Sequence, residues 1–187
     1  MTNLKILAIS GSLRAASHNT FLLRAAQKVN PGGLDIEIYD SLRDIPPYDL
    51  DLDTPQDRPP IVRDLRRRIS EADGLLIATP EFNYSIPGTL KNAIDWVSTD
   101  WTKTEGLPLL HKPIAIMGAA PTNFGSVRAQ LALRQVFLWT HSDVVVKPEV
   151  IAFRSGERFD ADGNLLDDAT ADLVAALLTA LKEKILR

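Results

Sequence analysis

The chain has 187 residues, 45% of them hydrophobic and 24% charged, with a formal net charge of -3. That is enough for one domain over residues 1–187 that buries roughly 70% of the surface its unfolded form exposes, and it offers no basic surface for nucleic acid. There is no cysteine, which excludes disulfides, thiolate nucleophiles, iron–sulfur clusters and Cys-ligated zinc, so any redox chemistry must be carried by a bound cofactor.

The N-terminal MTNLKILAIS lacks a basic segment followed by a long apolar one, and no run approaches the ~18 apolar residues of a membrane span. A cytoplasmic protein that engages no membrane is expected. Leu4 to Ile9 is a short apolar run suited to a strand buried on both faces. It ends in ISGSLRAASHNT (Ile9 to Thr20), a polar loop with a single glycine. From Thr20 the apolar positions Phe21, Leu22, Ala25, Ala26 and Val29 share one helical face, and Asn30-Pro31-Gly32-Gly33 stops the helix.

Leu34 to Asp40 alternates and reads as an edge strand. The irregular Ser41 to Arg58 is either a solvated excursion or a wall of the site. Pro59 and Pro60 suit the first turn of a helix that carries Ile61, Val62, Leu65, Ile69 and Ala72 inward, with Arg63, Arg66, Arg67 and Arg68 mostly on its other face, which reads as a solvated face ahead of a phosphate-binding patch. Gly74 to Pro80 is a buried strand, followed by EFNYS and a helix from near Pro87. Lys112 to Ala120 is a fourth strand, Ser126 to Thr140 a helix, the valines near Val144 a fifth strand, and Asp168 to Leu186 a final amphipathic helix.

Strands alternating with helices imply a parallel sheet covered on both faces, with ligands beyond the carboxyl ends of the strands. In the strand order 2-1-3-4-5 the loops Ser10–Thr20, Pro80–Ser85 and Gly118–Gly125 leave neighbouring strands and share one site. The first loop lacks the G-x-G-x-x-G of a dinucleotide site and the G-x-x-x-x-G-K-[ST] of a P-loop. Ser10, Ser12, Ser17, Asn19 and Thr20 instead supply donors ahead of a helix N-terminus, and Arg14 adds a charge, a set suited to one terminal phosphate. Ser17 or Asn19 also suits an N-cap.

GSLRAASHN, TPEFNYSIPGTLKNAIDW (Thr79 to Trp96) and GAAPTNFGSVRAQ (Gly118 to Gln130) together resemble the successive motifs of the NAD(P)H-dependent FMN reductases, closest to their quinone, azo-dye and chromate reductase branch. The resemblance implies a three-layer, flavodoxin-like α/β/α fold with five parallel strands in the order 2-1-3-4-5. It also implies FMN as bound cofactor, NADPH or NADH as co-substrate, and a small acceptor such as a quinone, azo compound, flavin or chromate. Ser12, Arg14, Ser17 and Asn19 would hold the phosphate, with His18 and Thr20 adding contacts. Pro80, Glu81, Phe82, Asn83, Tyr84 and Ser85 would run along the isoalloxazine, and Gly118, Ala120, Phe124 and Gly125 would close its other side. Phe82 stands where the family usually has tyrosine, and Phe124-Gly125-Ser126 where a glycine pair is common. Family members are dimers or tetramers, so a homo-oligomer is expected, with Trp101 an interface anchor and Trp139 a core residue.

With a flavin present no catalytic side chain is required, and Glu81 is expected to fix its loop rather than move protons. His18, His111 and His141 lack metal-ligand spacing. Asp49, Asp51 and Asp53 start like an EF-hand but lack its glycine and glutamate. A flavodoxin-type electron carrier is the rival reading, although such carriers are usually much more acidic, and a net charge of -3 lacks the field that would steer basic redox partners.

Overall fold

The structure, a computed structural model, describes residues 3–187. Its strands are β1 (Leu4–Ser10), β2 (Leu34–Tyr39), β3 (Gly74–Ala78), β4 (Pro113–Ala119), β5 (Asp143–Val144) and β6 (Val150–Ala152). The helices are α1 (His18–Lys28), α2 (Pro60–Glu71), α3 (Gly88–Val97), α4 (Val127–Trp139) and α5 (Asp168–Ile185). All strand pairs are parallel, in the order β2-β1-β3-β4-β5, with β6 also on β4. This is the three-layer arrangement expected, with one correction. The fifth strand is broken in two, so the sheet counts six. β5 pairs with Pro113 and Ile114 at the start of β4, and β6 with Met117 to Ala119 at its end. Between them lies Pro148, which has no N–H to give a ladder.

Alternation along the strands divides the core. Ile6 and Ala8 of β1 and Leu76 of β3 meet Leu22 of α1 and Leu177 of α5 on one face. On the other, Leu7, Ile9 and Ile77 meet Leu65 of α2, Trp96 of α3 and Phe137 of α4.

Two expectations fail here. Arg66 is 5% exposed, and its guanidinium donates to the carbonyls of Trp96 (3.1 Å), Thr99 (2.8 Å) and Gly106 (3.1 Å). It sits on the inward stripe Val62, Leu65, Arg66 and Ile69, spaced i, i+3, i+4, i+7. Trp139 is 83% exposed, whereas Trp96 is fully buried. Two residues beyond buried Phe137, Trp139 has turned about 200° around the helix, onto its outer side.

The Ser41–Arg58 stretch does both things expected of it in different places. Leu42 and Arg43 line a cleft beside the first loop. The rest folds onto α3, where Asn92 Nδ2 and Trp96 Nε1 each donate to Pro46 O at 2.8 Å and the Tyr48 N–H donates to Asn92 Oδ1 at 2.8 Å. Asp53 and Arg58, both about 1% exposed, close it with a buried ion pair at 2.8 Å that Glu105 extends. Asp49 caps a single 3-10 turn. These aspartates are therefore spent on the fold.

Candidate active site

β1, β3 and β4 are neighbours, so their carboxyl ends deliver the three polar loops side by side. The backbone joins them: Gly11 N donates to Ala78 O (2.8 Å), and Thr79 N to Met117 O (3.0 Å). At Gly118 the approach is so close that a Cβ would overlap Ser126 Oγ and the Thr79 carbonyl. Only glycine fits there.

Within the first loop the side chains divide into two groups. Ser17 is the N-cap of α1, its Oγ accepting from the N–H groups of Asn19 and Thr20. Asn19, 3% exposed, clamps the loop to β4: its Nδ2 donates to Ala119 O and its Oδ1 accepts from Ala119 N, both at 2.9 Å. Thr20 Oγ1 donates to Ser10 Oγ at 3.0 Å. His18 Nδ1 lies 2.7 Å from Ser155 Oγ and its ring stacks on Phe159 at 5.3 Å. Burial, and then the charge of Arg14, hold that imidazole below its ordinary pKa of 6.5. Ser17 thus takes the N-cap role that the sequence offered beside a phosphate contact, and Asn19 ties the loop to β4. Ser12 is half-buried and Arg14 exposed. The N–H groups of Ala15, Ala16, Ser17 and His18 find no protein acceptor among the described residues. Four unanswered donors at a helix start are the chemistry of an anion site.

The second loop is a two-residue hairpin, with Phe82 N donating to Ser85 O (3.0 Å) and Ser85 N to Phe82 O (2.9 Å). Asn83 and Tyr84 at its tip have φ of 50° and 67°, the left-handed pair of a primed turn. The turn leaves the Phe82 and Tyr84 rings exposed, while Pro80 is buried. Glu81 reaches sideways: its Oε2 accepts from Arg128 N at 3.0 Å and its Oε1 pairs with the Arg128 guanidinium. That guanidinium lies 3.8 Å from the centre of the Tyr84 ring and 5.0 Å from that of Phe124. Arg128 therefore latches the second loop to the third. Its position inside the third motif was the available signal, but its partner is 47 residues away.

The segment after β6 completes the site, and sequence reasoning passed over it. Arg154 N donates to Thr122 O (3.0 Å), Ser155 N to Ala120 O (3.1 Å), and Arg154 Nε to Asn123 Oδ1 (2.6 Å). Ser155 thus touches both the first loop and the third. Gly125, at φ 57°, packs so tightly on Ile151 that a Cβ would overlap it. Among the described residues no group of three His, Cys, Asp or Glu side chains could hold a metal ion, and no helix is long and apolar enough to cross a membrane.

Comparison with known proteins agrees with the motifs. The model of the family described as NADPH-dependent FMN reductase matches residues 4–157. An NAD(P)H-dependent FMN reductase of Pseudomonas aeruginosa is 43% identical over 180 residues, covering 96% of this chain and 94% of that one. A quinone reductase of Escherichia coli is 36% identical over 185 residues, covering 98% and 96%. Among solved structures, the flavoenzyme NAD(P)H:(acceptor) oxidoreductase FerB of Paracoccus denitrificans is 32% identical with a TM-score of 0.85, covering 98% of this chain and 97% of that one.

Proposed function

Since the chain belongs to the NADPH-dependent FMN reductase family, we propose that it passes reducing equivalents from NADPH or NADH, through noncovalently held FMN, to a small acceptor such as a quinone or a free flavin. The observation that carries this reading is the set of unanswered N–H donors at residues 15 to 18 beside Ser12 and Arg14. It is a site for one terminal phosphate, at the end of a strand whose neighbour carries the aromatic hairpin.

FMN supplies the hydride chemistry when bound, and the protein's part is to position it. Ser12, Arg14 and the four N–H groups hold the phosphate. Pro80 to Ser85 lie along the ring, where backbone N–H groups of the hairpin favour the negative charge that reduction creates. Phe82, Tyr84 and Phe124 give the site an open aromatic rim, on which flat acceptors such as quinones and azo compounds stack, and chromate would enter the same open space. Glu81 is tied to Arg128 by two contacts, so it fixes its loop and acceptor protons come from water. The protein acts as a homo-oligomer, joined through the exposed apolar side of α4.

The test is to saturate the purified protein with FMN and mix it with NADPH or NADH without air. Bleaching of the yellow colour, and its return on adding benzoquinone, is expected. A protein that binds no FMN sinks the reading. One that binds it but bleaches with neither nucleotide is a flavodoxin-type carrier instead.

A further inference from the structure

Phe124 stands just beyond β4 and Tyr84 at the tip of the hairpin, 65% and 73% exposed. Rings so open to water ordinarily turn freely, yet these two are held. The Arg128 guanidinium lies 3.8 Å from the centre of the Tyr84 ring and 5.0 Å from that of Phe124, close enough for the attraction of a cation to a ring face. Glu81, its side chain 7% exposed, fixes the guanidinium in turn and answers its charge. The backbone under Phe124 is set as well. Gly125 packs on Ile151 at a φ of 57°, its N–H donates to Thr122 O at 3.3 Å, and the Val127 N–H donates to Phe124 O at 3.4 Å. Among the described residues Phe82, the third exposed ring of the rim, has no cation against it. The hairpin and the third loop therefore share a fixed aromatic surface rather than a free cation.

We propose that Phe124 and Tyr84 select the acceptor, gripping a flat molecule of two fused rings, such as a naphthoquinone, better than a single ring and far better than a compact ion. The inference rests on the FMN reading and narrows it, since an open flavin site alone admits any small acceptor. A fused pair extends beyond the ring that takes the electrons, and the overhanging part is what a fixed aromatic surface can hold. Stacking grows with the ring area in contact, so benzoquinone gains less. A multiply charged ion with no flat face, such as ferricyanide, gains nothing, because Glu81 has already cancelled the charge that would draw it. Rings held in place beforehand lose little freedom when the acceptor arrives, and that is what Arg128 contributes.

The test uses the FMN-loaded protein with Phe124→Leu and Tyr84→Leu, which keep an apolar side chain and lose the ring, and Phe124→Tyr, which restores it. Binding is read first, by calorimetry with naphthol, a flat two-ring phenol that accepts no electrons from the flavin. Its Kd is expected to rise about fivefold in each Leu variant, the size of one aromatic contact, and to stay near the native value in Phe124→Tyr. Reoxidation of the bleached protein is read next, at low acceptor concentration. Menadione, a two-ring quinone, should react about fivefold more slowly with the Leu variants, benzoquinone should lose less, and ferricyanide should react as before. Equal losses for menadione and ferricyanide would show that the substitutions disturb the flavin, and an unchanged Kd for naphthol would show that the rings grip nothing. Either result overturns the assignment. Native protein that NADH fails to bleach removes the FMN reading itself, whereas bleaching followed by equal reoxidation of native protein and Leu variants by menadione removes only the grip.

Discussion

Asn19 and His18 are neighbours in sequence whose roles are set by residues 100 and 137 positions away. Asn19 spends donor and acceptor on the Ala119 backbone, so Asn19→Ala leaves two buried backbone groups without partners. Unfolding in urea should show a loss of about 2 kcal/mol, present in flavin-free and flavin-loaded protein alike. A loss confined to the loaded protein would return Asn19 to the phosphate. His18 makes stability depend on pH. Its folded pKa lies below the unfolded 6.5, so the unfolded chain binds the extra proton, and stability is lost as pH falls from 6.5 toward the folded value. His18→Phe keeps a ring against Phe159 and removes the titration. Between about pH 7.5 and about pH 5.5 the native protein should lose more unfolding free energy than the variant. Equal losses would mean that His18 does not feel its burial.

At the scale of elements, Arg66 shows what a helix face can hide. Its side chain ties α2 to the end of α3 and to the turn at Gly106, fixing the segment that carries Trp101. Arg66→Met keeps the volume and leaves three carbonyls unanswered. It should cost about 3 kcal/mol and open residues 98–110 to proteolysis, and an unchanged Tm with an uncut loop would show that the stitch is idle. The strands and helices themselves were legible, because buried parallel strands are short apolar runs and the helices carry a stripe. The broken fifth strand was not, since β5 and β6 are defined by their pairing with β4, which is not local. The site was half legible. A hydroxyl-rich loop before a helix announces an anion, but the parts Asn19 and His18 play in building the loop depend on Ala119 and Ser155, far along the chain. The charge of Arg66 pointed to solvent, while its place on the stripe pointed inward, and the stripe prevailed because backbone carbonyls were there to receive it.

For the whole molecule, the proposed self-association turns on residues exposed along α4 and beside it. Val127, Leu131 and Leu138 are spaced four and seven residues apart along α4 and are all exposed, with Trp139 at the helix end. Trp139 and Trp101 border a groove of about 410 Å³ between α3 and α4. An apolar stripe continued by two tryptophans is the face proposed for self-association, since aromatic anchors beside a polar rim are how subunit contacts are built. A self-complementary contact of the usual size covers about 800 Å² per subunit, enough to hide the stripe and seat Trp139 of one copy in the groove of the other. Trp139→Glu puts a charge at that anchor without touching the core. Sedimentation should find the native protein as a dimer or larger and the variant as a monomer at the same concentration. A native monomer would refute the association, and a variant that stays associated would move the contact to another face.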